Sequence, residues 1–416
     1  MFNRDNLVDE GRLLVSSYAM GLGRPIGAAQ VRIMTRGGGN TIEVVTTDSS
    51  GRAPLLYLPA PPVEYSMSAD QGQPFSEYDV EVTLAGFESV RVNGVQVYPE
   101  STALQDVDLT PQVLEEETLE EIEIEPPTLW GNFPPKIPEQ DVKPLPEPTG
   151  LVVLDQVVIP EFIVVHAGRP TDTGALNHWV TFKDYVKNVV SSEIYPTWPR
   201  ETLRANTMAV VSFTLNRVFT EWYRGKGFDF TITNSTAFDL AFNHGRNIFV
   251  EISNVVDEIF STYITRPGIR QPLLTQFCDG KMVSCPNWMT QWGSKYLGDQ
   301  GYDALDILRH FYGYEIYLNQ AQKVEGIPIS FPGYALNIGA AGADVRRIQE
   351  QLNTISQHYP AIPRVIVDGI YGPQTQESVR SFQGIFKMPV SGVVDFATWY
   401  RIASIYVAVT RMGELY

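Results

Sequence analysis

The feature that most restricts this chain lies a little past its first quarter. Between Glu115 and Glu125 stand seven glutamates and no basic residue, and Pro126 to Pro148 then holds eight prolines. Like charges at that density repel one another, and each proline removes a backbone donor and holds φ near −65°. Neither a helix nor a central strand can run through such a stretch. Residues 111–150 therefore read as an extended, solvated linker, open to proteolytic nicking. A chain of 416 residues divided in this way folds as separate units on either side, in keeping with ~150 residues per domain.

Charge and composition narrow the classes. The balance of 31 Lys+Arg against 48 Asp+Glu, a net −17, offers no basic stripe for duplex nucleic acid and no attraction to an anionic membrane. With 44% hydrophobic residues the chain has material for packed cores and is not disordered. No apolar run reaches the ~20 residues of a membrane span. Residues 1–10 lack a basic region followed by an apolar one, so no signal peptide is expected. Cys278 and Cys285 are too few for a disulfide scaffold.

The first unit, residues 1–110, alternates. Val31–Met34, Thr41–Val45 and Val80–Leu84 read as strands between turn clusters at Gly37-Gly38-Gly39-Asn40, Asp48-Ser49-Ser50-Gly51 and Ala85-Gly86, the pattern of a small antiparallel sandwich. Residues 151–330 turn helical, with three- and four-residue apolar spacing over Lys183–Glu193 and Arg200–Tyr223. In the first of these, Val186, Val189, Val190 and Glu193 share one face. A carboxylate ending an apolar stripe, ahead of Ile194-Tyr195-Pro196-Thr197-Trp198-Pro199, is either a desolvated general acid or an exposed helix-end glutamate. Residues 331–416 form a third unit, with helices around Asp344–Ile355 and Thr375–Phe386.

Motif scans for other chemistry are negative. The five histidines form no HExxH or C-x-x-C/H-x-x-H pattern, so no metal or other cofactor is expected. Cys278 and Cys285, seven apart with no histidine between them, leave a local disulfide or two inert thiols ahead of a metal site. Gly21-Leu22-Gly23-Arg24-Pro25 lies in a β context and reads as a turn, not a phosphate loop.

Three resemblances add to this reading. Arg12–Val15, Arg24–Val31, Thr47–Ala53 and Leu84–Phe87 resemble a carboxypeptidase-regulatory (transthyretin-like) module. Leu336–Gly339, Gly342–Val345, Val367-Asp368-Gly369-Ile370-Tyr371-Gly372-Pro373 and Ser391–Asp395 with Trp399 resemble a three-helix peptidoglycan-binding module, in which Tyr371 and Trp399 either stack on sugars or pack the core. Asp184–Glu193 with Trp198-Pro199 and Leu203–Asn206, then Trp288–Lys295 and Phe311–Gly313, resemble the stage II sporulation protein D domain. That family includes lytic transglycosylases, and its catalytic acid corresponds to Glu193. Its expected arginine falls on Val211, leaving Arg204 and Arg217 as substitutes.

The module order resembles the spore cortex-lytic SleC family. The resemblance implies a multidomain α+β chain with an N-terminal β-sandwich pro-domain, a central mainly helical catalytic domain and a wall-binding module. It implies storage as a zymogen in the spore cortex and coat region, spore cortex peptidoglycan as substrate, an activating germination protease as partner, and MurNAc–GlcNAc cleavage. On this reading Glu193 is catalytic, Gln291 and Lys295 position substrate, and Tyr195, Trp198 and Trp292 are sugar platforms. Asp279, Asp299 and Asp303 are the candidates for a second carboxylate. The alternatives are a non-catalytic wall-binding scaffold or amidase enhancer, and a muramidase or amidase.

Overall fold

Alternating burial builds the first unit: β1 (Asp9–Ala19), β2 (Arg24–Pro25), β3 (Gln30–Thr35), β4 (Thr41–Thr46), β5 (Leu56–Ala60), β6 (Ser76–Thr83), β7 (Ser89–Val97) and β8 (Thr102–Leu109). β3 turns Val31 and Ile33 inward and β7 turns Val90 and Val92 inward, so two sheets share one core. The computed structural model describes residues 9–19, 24–112, 119–143, 157–160, 162–321, 323–324, 332 and 334–410.

Residues 119–143 are not the solvated linker that their composition suggests. Leu119–Glu123 forms β9, which pairs in parallel with β7 from Ser89↔Leu119 to Asn93↔Glu123 and extends that sheet to β4-β3-β6-β7-β9. Beyond it the chain runs as a strap over the central unit. Its prolines limit its own structure to a turn at residues 127–131, where the Trp130 and Gly131 amides donate to the Pro127 carbonyl, so its other backbone groups need partners elsewhere. The Ile137 amide donates to the Ala237 carbonyl (2.7 Å) and the Thr128 amide to the Ser192 carbonyl (2.8 Å). Gln276 brackets the strap, donating to the Ile137 carbonyl and accepting from the Glu139 amide, both at 2.9 Å. Gln271 holds both backbone groups of Lys143, at 2.8 and 2.9 Å. Ile124 and Leu129 are buried. The rest of the expected linker, residues 113–118 and 144–150, lies outside the described residues.

The central unit contains β10 (Val158–Ile159), β11 (Phe162–His166), β12 (Asn177–Thr181), α1 (Phe182–Glu193), α2 (Arg200–Phe219), β13 (Ile232–Thr233), β14 (Ile248–Phe249), α3 (Val250–Ile259), α4 (Gln291–Asp299) and α5 (Ala304–Tyr312). Thr181 starts α1 by accepting from the Asp184 amide, a side-chain N-cap. α1 is buried along almost its whole length and packs on α2 and α3. Lys183 and Lys187 of α1 pair with Asp257 of α3 at 2.6 and 2.9 Å, all three side chains being buried.

The sandwich is joined to this unit rather than tethered to it. β14 adds an antiparallel strand to β8. Gln96 and Asn247 exchange two hydrogen bonds of 3.0 Å, and Arg246 donates to Gln96 Oε1 at 2.6 Å.

The third unit holds α6 (Ala343–Ser356), α7 (Pro373–Ile385) and α8 (Phe396–Thr410), with α8 against α3. One device occurs twice. Gln349 accepts from the Gly369 amide (2.8 Å) and donates to Asp368, Thr375 and the Ile370 carbonyl. Gln383 accepts from the Gly392 amide (2.8 Å) and donates to Ser391, Thr398 and the Val393 carbonyl. Each glutamine ties a turn to the start of the following helix. Gly369 and Gly392 have φ of +77° and +69°, which favours glycine. Tyr371 and Trp399 are each 1% exposed, so both pack the core.

Asp257→Asn leaves two buried ammonium groups uncompensated and should cost about 3–5 kcal/mol, measured by denaturant unfolding. Lys183 and Lys187 hold the Asp257 carboxyl far below its usual range, against the opposing effect of burial. This stabilisation is present above the unfolded-state pKa near 4 and is lost as pH falls through the lower folded-state value. The gap between wild type and variant should therefore shrink on acidification.

Candidate functional site

Glu193 is the last residue of α1. The last turn of a helix leaves carbonyls without intrahelical donors, and its end carries partial negative charge. A carboxylate there needs donors from outside the helix. Glu193 is 5% exposed and finds them on three separate segments. The Thr128 hydroxyl of the strap donates to Oε2 at 2.8 Å. The Ala241 amide donates to Oε1 at 3.0 Å. Gln291 Nε2, at the start of α4, donates to Oε2 at 3.0 Å and to the Glu193 carbonyl at 2.9 Å.

The loop bearing Ala241 is itself pinned. The Asn188 side chain donates to the Asn243 carbonyl (2.7 Å) and accepts from the Asn243 amide (3.0 Å). Two residues before Ala241, the fully buried Asp239 accepts from Arg217, Tyr223 and Thr233. Lys136 of the strap lies over the Phe213 and Phe277 rings at 5.2 and 5.5 Å and donates to the Asp239 carbonyl.

A cavity of ≈ 350 Å³ opens along the segments that flank Glu193, with Glu125 of the strap among its lining residues. Ser192 and Ala241, a neighbour and a donor of Glu193, form part of its wall. Arg169, Phe242 and Arg246 form more, and Phe133 and Pro134 of the strap close one side. Burial pushes the Arg246 guanidinium down to about 10.

Of the expected site residues, the structure brings Glu193 and Gln291 into contact, gathers Tyr195, Trp198 and Trp292 into one aromatic group, and gives Lys295 a partner of its own. Lys295 pairs with Asp299 at 2.7 Å. Tyr195 and Trp198 are 2% and 3% exposed, so in this arrangement they are packing residues rather than open sugar platforms. Trp198 donates to the Ser66 carbonyl of the sandwich (2.9 Å), and Tyr195 lies 5.4 Å from Tyr98. Trp292, half-buried, packs on Trp198 with centroids 5.0 Å apart. The physical reason is that the sandwich covers this aromatic group.

The second-carboxylate candidates have structural duties. Asp279 accepts from the amides of residues 281–283, Asp299 is in the Lys295 pair, and Asp303 caps α5. The Glu193 carboxylate accepts only from Thr128, Ala241 and Gln291 among the described residues. Cys278 and Cys285 form a disulfide. No group of three or more metal-ligating side chains occurs among the described residues. Of the two substitute arginines, Arg204 pairs with Glu201 and Glu258, and Arg217 reaches Asp239.

Sequence reasoning did not find Thr128 or Ala241. Thr128 sits among prolines with no periodic pattern around it, and Ala241 acts through its backbone amide, which carries no side-chain signal.

Comparisons with known proteins bear on two segments. Residues 172–254, which include Glu193, match the family model "Stage II sporulation protein". Residues 341–402 match "Putative peptidoglycan binding domain". Together they indicate a protein that acts on the cell wall, with a module for binding it. No curated protein matches the chain. Among solved structures, a Bacillus anthracis TIE protein is 14% identical over 25% of this chain and 18% of its own, with a TM-score of 0.19. The 3-chlorocatechol 1,2-dioxygenase of Rhodococcus opacus is 13% identical over 26% and 62%, with a TM-score of 0.17. The catechol 1,2-dioxygenase of Acinetobacter sp. ADP1 is 13% identical over 29% and 60%, with a TM-score of 0.19. The chain thus spans less than two thirds of each of these proteins, and at such scores the likeness carries no argument about fold or activity.

Gln291→Leu removes a donor from the carboxylate and leaves the Glu193 carbonyl with only the longer 3.3 Å bond from the Thr128 hydroxyl. It should lower stability by about 1.5–3 kcal/mol, seen as a lower denaturation midpoint with an unchanged far-UV spectrum.

Proposed function

We propose that this protein is a peptidoglycan lytic transglycosylase held inactive until the strap leaves Glu193. The observation that carries the proposal is the buried Glu193 carboxyl at the end of α1, whose chain neighbour Ser192 and hydrogen-bond donor Ala241 line a cavity that the exposed strap residue Glu125 also lines. A hydrolase of the usual kind needs two such groups, whereas an intramolecular transfer needs one. Protonated Glu193 gives its proton to the glycosidic oxygen between N-acetylmuramic acid and N-acetylglucosamine as the C1–O bond breaks. The carboxylate then takes the proton of the muramic C6 hydroxyl as O6 bonds to C1, closing a 1,6-anhydro ring. The proton lost by O6 replaces the one given to the leaving oxygen, so Glu193 ends as it began.

Zymogen storage is supported by the contacts of the strap. Thr128 occupies Oε2, and Phe133 with Pro134 walls the cavity. A cut within residues 144–156, beyond the last described strap residue, frees the strap's C-terminal end. Its release uncovers the acid, and departure of the sandwich with it uncovers Trp198 and Tyr195. Spore cortex peptidoglycan as substrate, a germination protease as activator, the cortex and coat as location, and a carboxypeptidase-regulatory-like identity for the sandwich complete the proposal, all resting on the SleC-type module order. The capped state of Glu193 also suits the second reading, a non-catalytic wall-binding scaffold.

Limited proteolysis within residues 144–156 should raise release of anhydro-muropeptides from isolated cortex at least tenfold, as quantified by mass spectrometry. Glu193→Gln, cut in the same way, should release none while still sedimenting with the wall. Unchanged products from this variant would reject Glu193 as the acid, and products with reducing or free-peptide ends would point to a muramidase or amidase.

A further inference from the structure

The strap carries its own carboxylate into the central unit. Glu139 Oε1 and Oε2 accept from Nη2 and Nη1 of Arg217 at 2.6 and 3.1 Å, a bidentate fork. The Arg217 side chain is fully buried. Its Nε donates to Asp239 at 2.7 Å, and Nη2 also reaches the Phe238 carbonyl at 3.0 Å. Lys143 of the strap is the second cation on Glu139.

Ownership of these groups matters. Arg217, Asp239 and Phe238 belong to the central unit, whereas Glu139 and Lys143 belong to the strap. Once the strap leaves, Asp239 still neutralises Arg217 through Nε. The two Nη groups that faced Glu139 keep only the Phe238 carbonyl. A planar fork of donors then faces a vacated position, and a carboxylate matches that geometry. The vacated position opens onto the adjoining cavity, so the fork is accessible to a replacement carboxylate.

The surroundings describe that ligand. A cavity of ≈ 480 Å³ beside the fork is lined by Pro170, Trp222, Tyr223, Phe228, Phe238 and Lys226, with the strap as its remaining wall. Lys226 Nζ lies 3.2 Å from the Trp222 ring centroid, and Lys143 Nζ lies 4.2 Å from it. With the strap and its Lys143 gone, aromatic walls with Lys226 and the Arg217 fork suit a short anionic peptide better than a neutral sugar.

Position links this cavity to Glu193. Asp239, which holds Arg217, and Ala241, which donates to Glu193, are two residues apart, at most about 7 Å of backbone. The cavity along the segments that flank Glu193 is lined by Pro134, Arg169 and Thr236, and the second by Ile137, Pro170 and Phe238. The same three segments, taken a little further along the chain, line both. The two cavities therefore lie in succession along the same three segments.

We infer that Arg217, with Trp222 and Lys226, is a subsite for the carboxylate of the short peptide borne by the glycan strand, and that Glu139 of the strap fills it as a built-in stand-in. The inference rests on the peptidoglycan reading above, because that polymer places carboxylate-bearing peptides next to the linkage to be cut.

The test uses the full chain carrying Glu139→Ala, in which the strap keeps its bonds to Gln271 and Gln276. Glu139→Gln serves if the alanine variant does not fold. Isothermal titration is run with N-acetylglutamate, with N-acetylmuramyl-L-alanyl-D-isoglutamine, and with the latter's carboxamide. The variant should bind the muramyl dipeptide at least tenfold more tightly than its amide. Wild type, whose fork is filled, should bind neither. Adding Arg217→Met should abolish binding, and if that double variant fails to fold, the acid-against-amide comparison decides alone. Equal binding of acid and amide, or binding of no probe by the folded variant, overturns the subsite. Binding of N-acetylglutamate without the muramyl dipeptide overturns the ligand assignment. The Glu193→Gln product assay leaves Arg217 untouched, so dipeptide binding without anhydro products would sink the catalytic proposal and spare this one.

Discussion

A carboxylate placed at the negative end of a helix must be stabilised by groups the helix does not own, and much of this molecule follows from that requirement. Glu193 closes α1 and takes its donors from the strap, from the loop at Ala241 and from α4. These segments are distant in sequence, so the site exists only when all of them are docked. The same donors serve the helix end itself, since Thr128 and Gln291 also cap the carbonyls of Ser192 and Glu193. Stability and the state of the candidate acid are therefore set by the same contacts.

Buried charge fixes the geometry around it. The Lys183–Lys187–Asp257 group ties α1 to α3, and Arg217 with Asp239 fixes the loop that delivers the Ala241 amide. A buried ion pair adds little net stability, but breaking one is expensive, so such groups hold a register more than they strengthen a fold. In this chain they hold the acid-bearing helix and the amide opposite it. Glu139 and Lys136 extend the logic to the strap, which is held by charge and by backbone pairing rather than by a broad apolar face.

Much of the architecture was legible from local pattern. Apolar spacing placed helices at 183–193 and 200–223, against the observed Phe182–Glu193 and Arg200–Phe219, because burial of one face imposes a 3.6-residue period that any window reveals. Val31, Ile33 and Val80 marked strands for the equivalent two-residue reason. The strap was misread for a physical cause. Composition shows that prolines and glutamates cannot make regular structure among themselves, yet it cannot show whether Gln271, Gln276 and Gly245 wait to receive them. At Gly245, with φ of +74°, an added Cβ would come within 2.8 Å of Ile122, a close approach that no sequence window announces. The aromatic residues failed similarly, since Trp198 is apolar enough for a sugar platform or a core, and Ser66, far away in sequence, decides for the core.

The sequence by itself determined three differently patterned units, the interrupted stretch between two of them, and a glutamate at the end of an apolar helix stripe, since each depends on neighbours within a few residues. Only the tertiary structure decided that this glutamate is buried and fully partnered, that the interrupted stretch lies across it, and that a strap glutamate fills the fork of Arg217. Those facts depend on donors and acceptors meeting across long sequence separations, where linear order carries no record of distance.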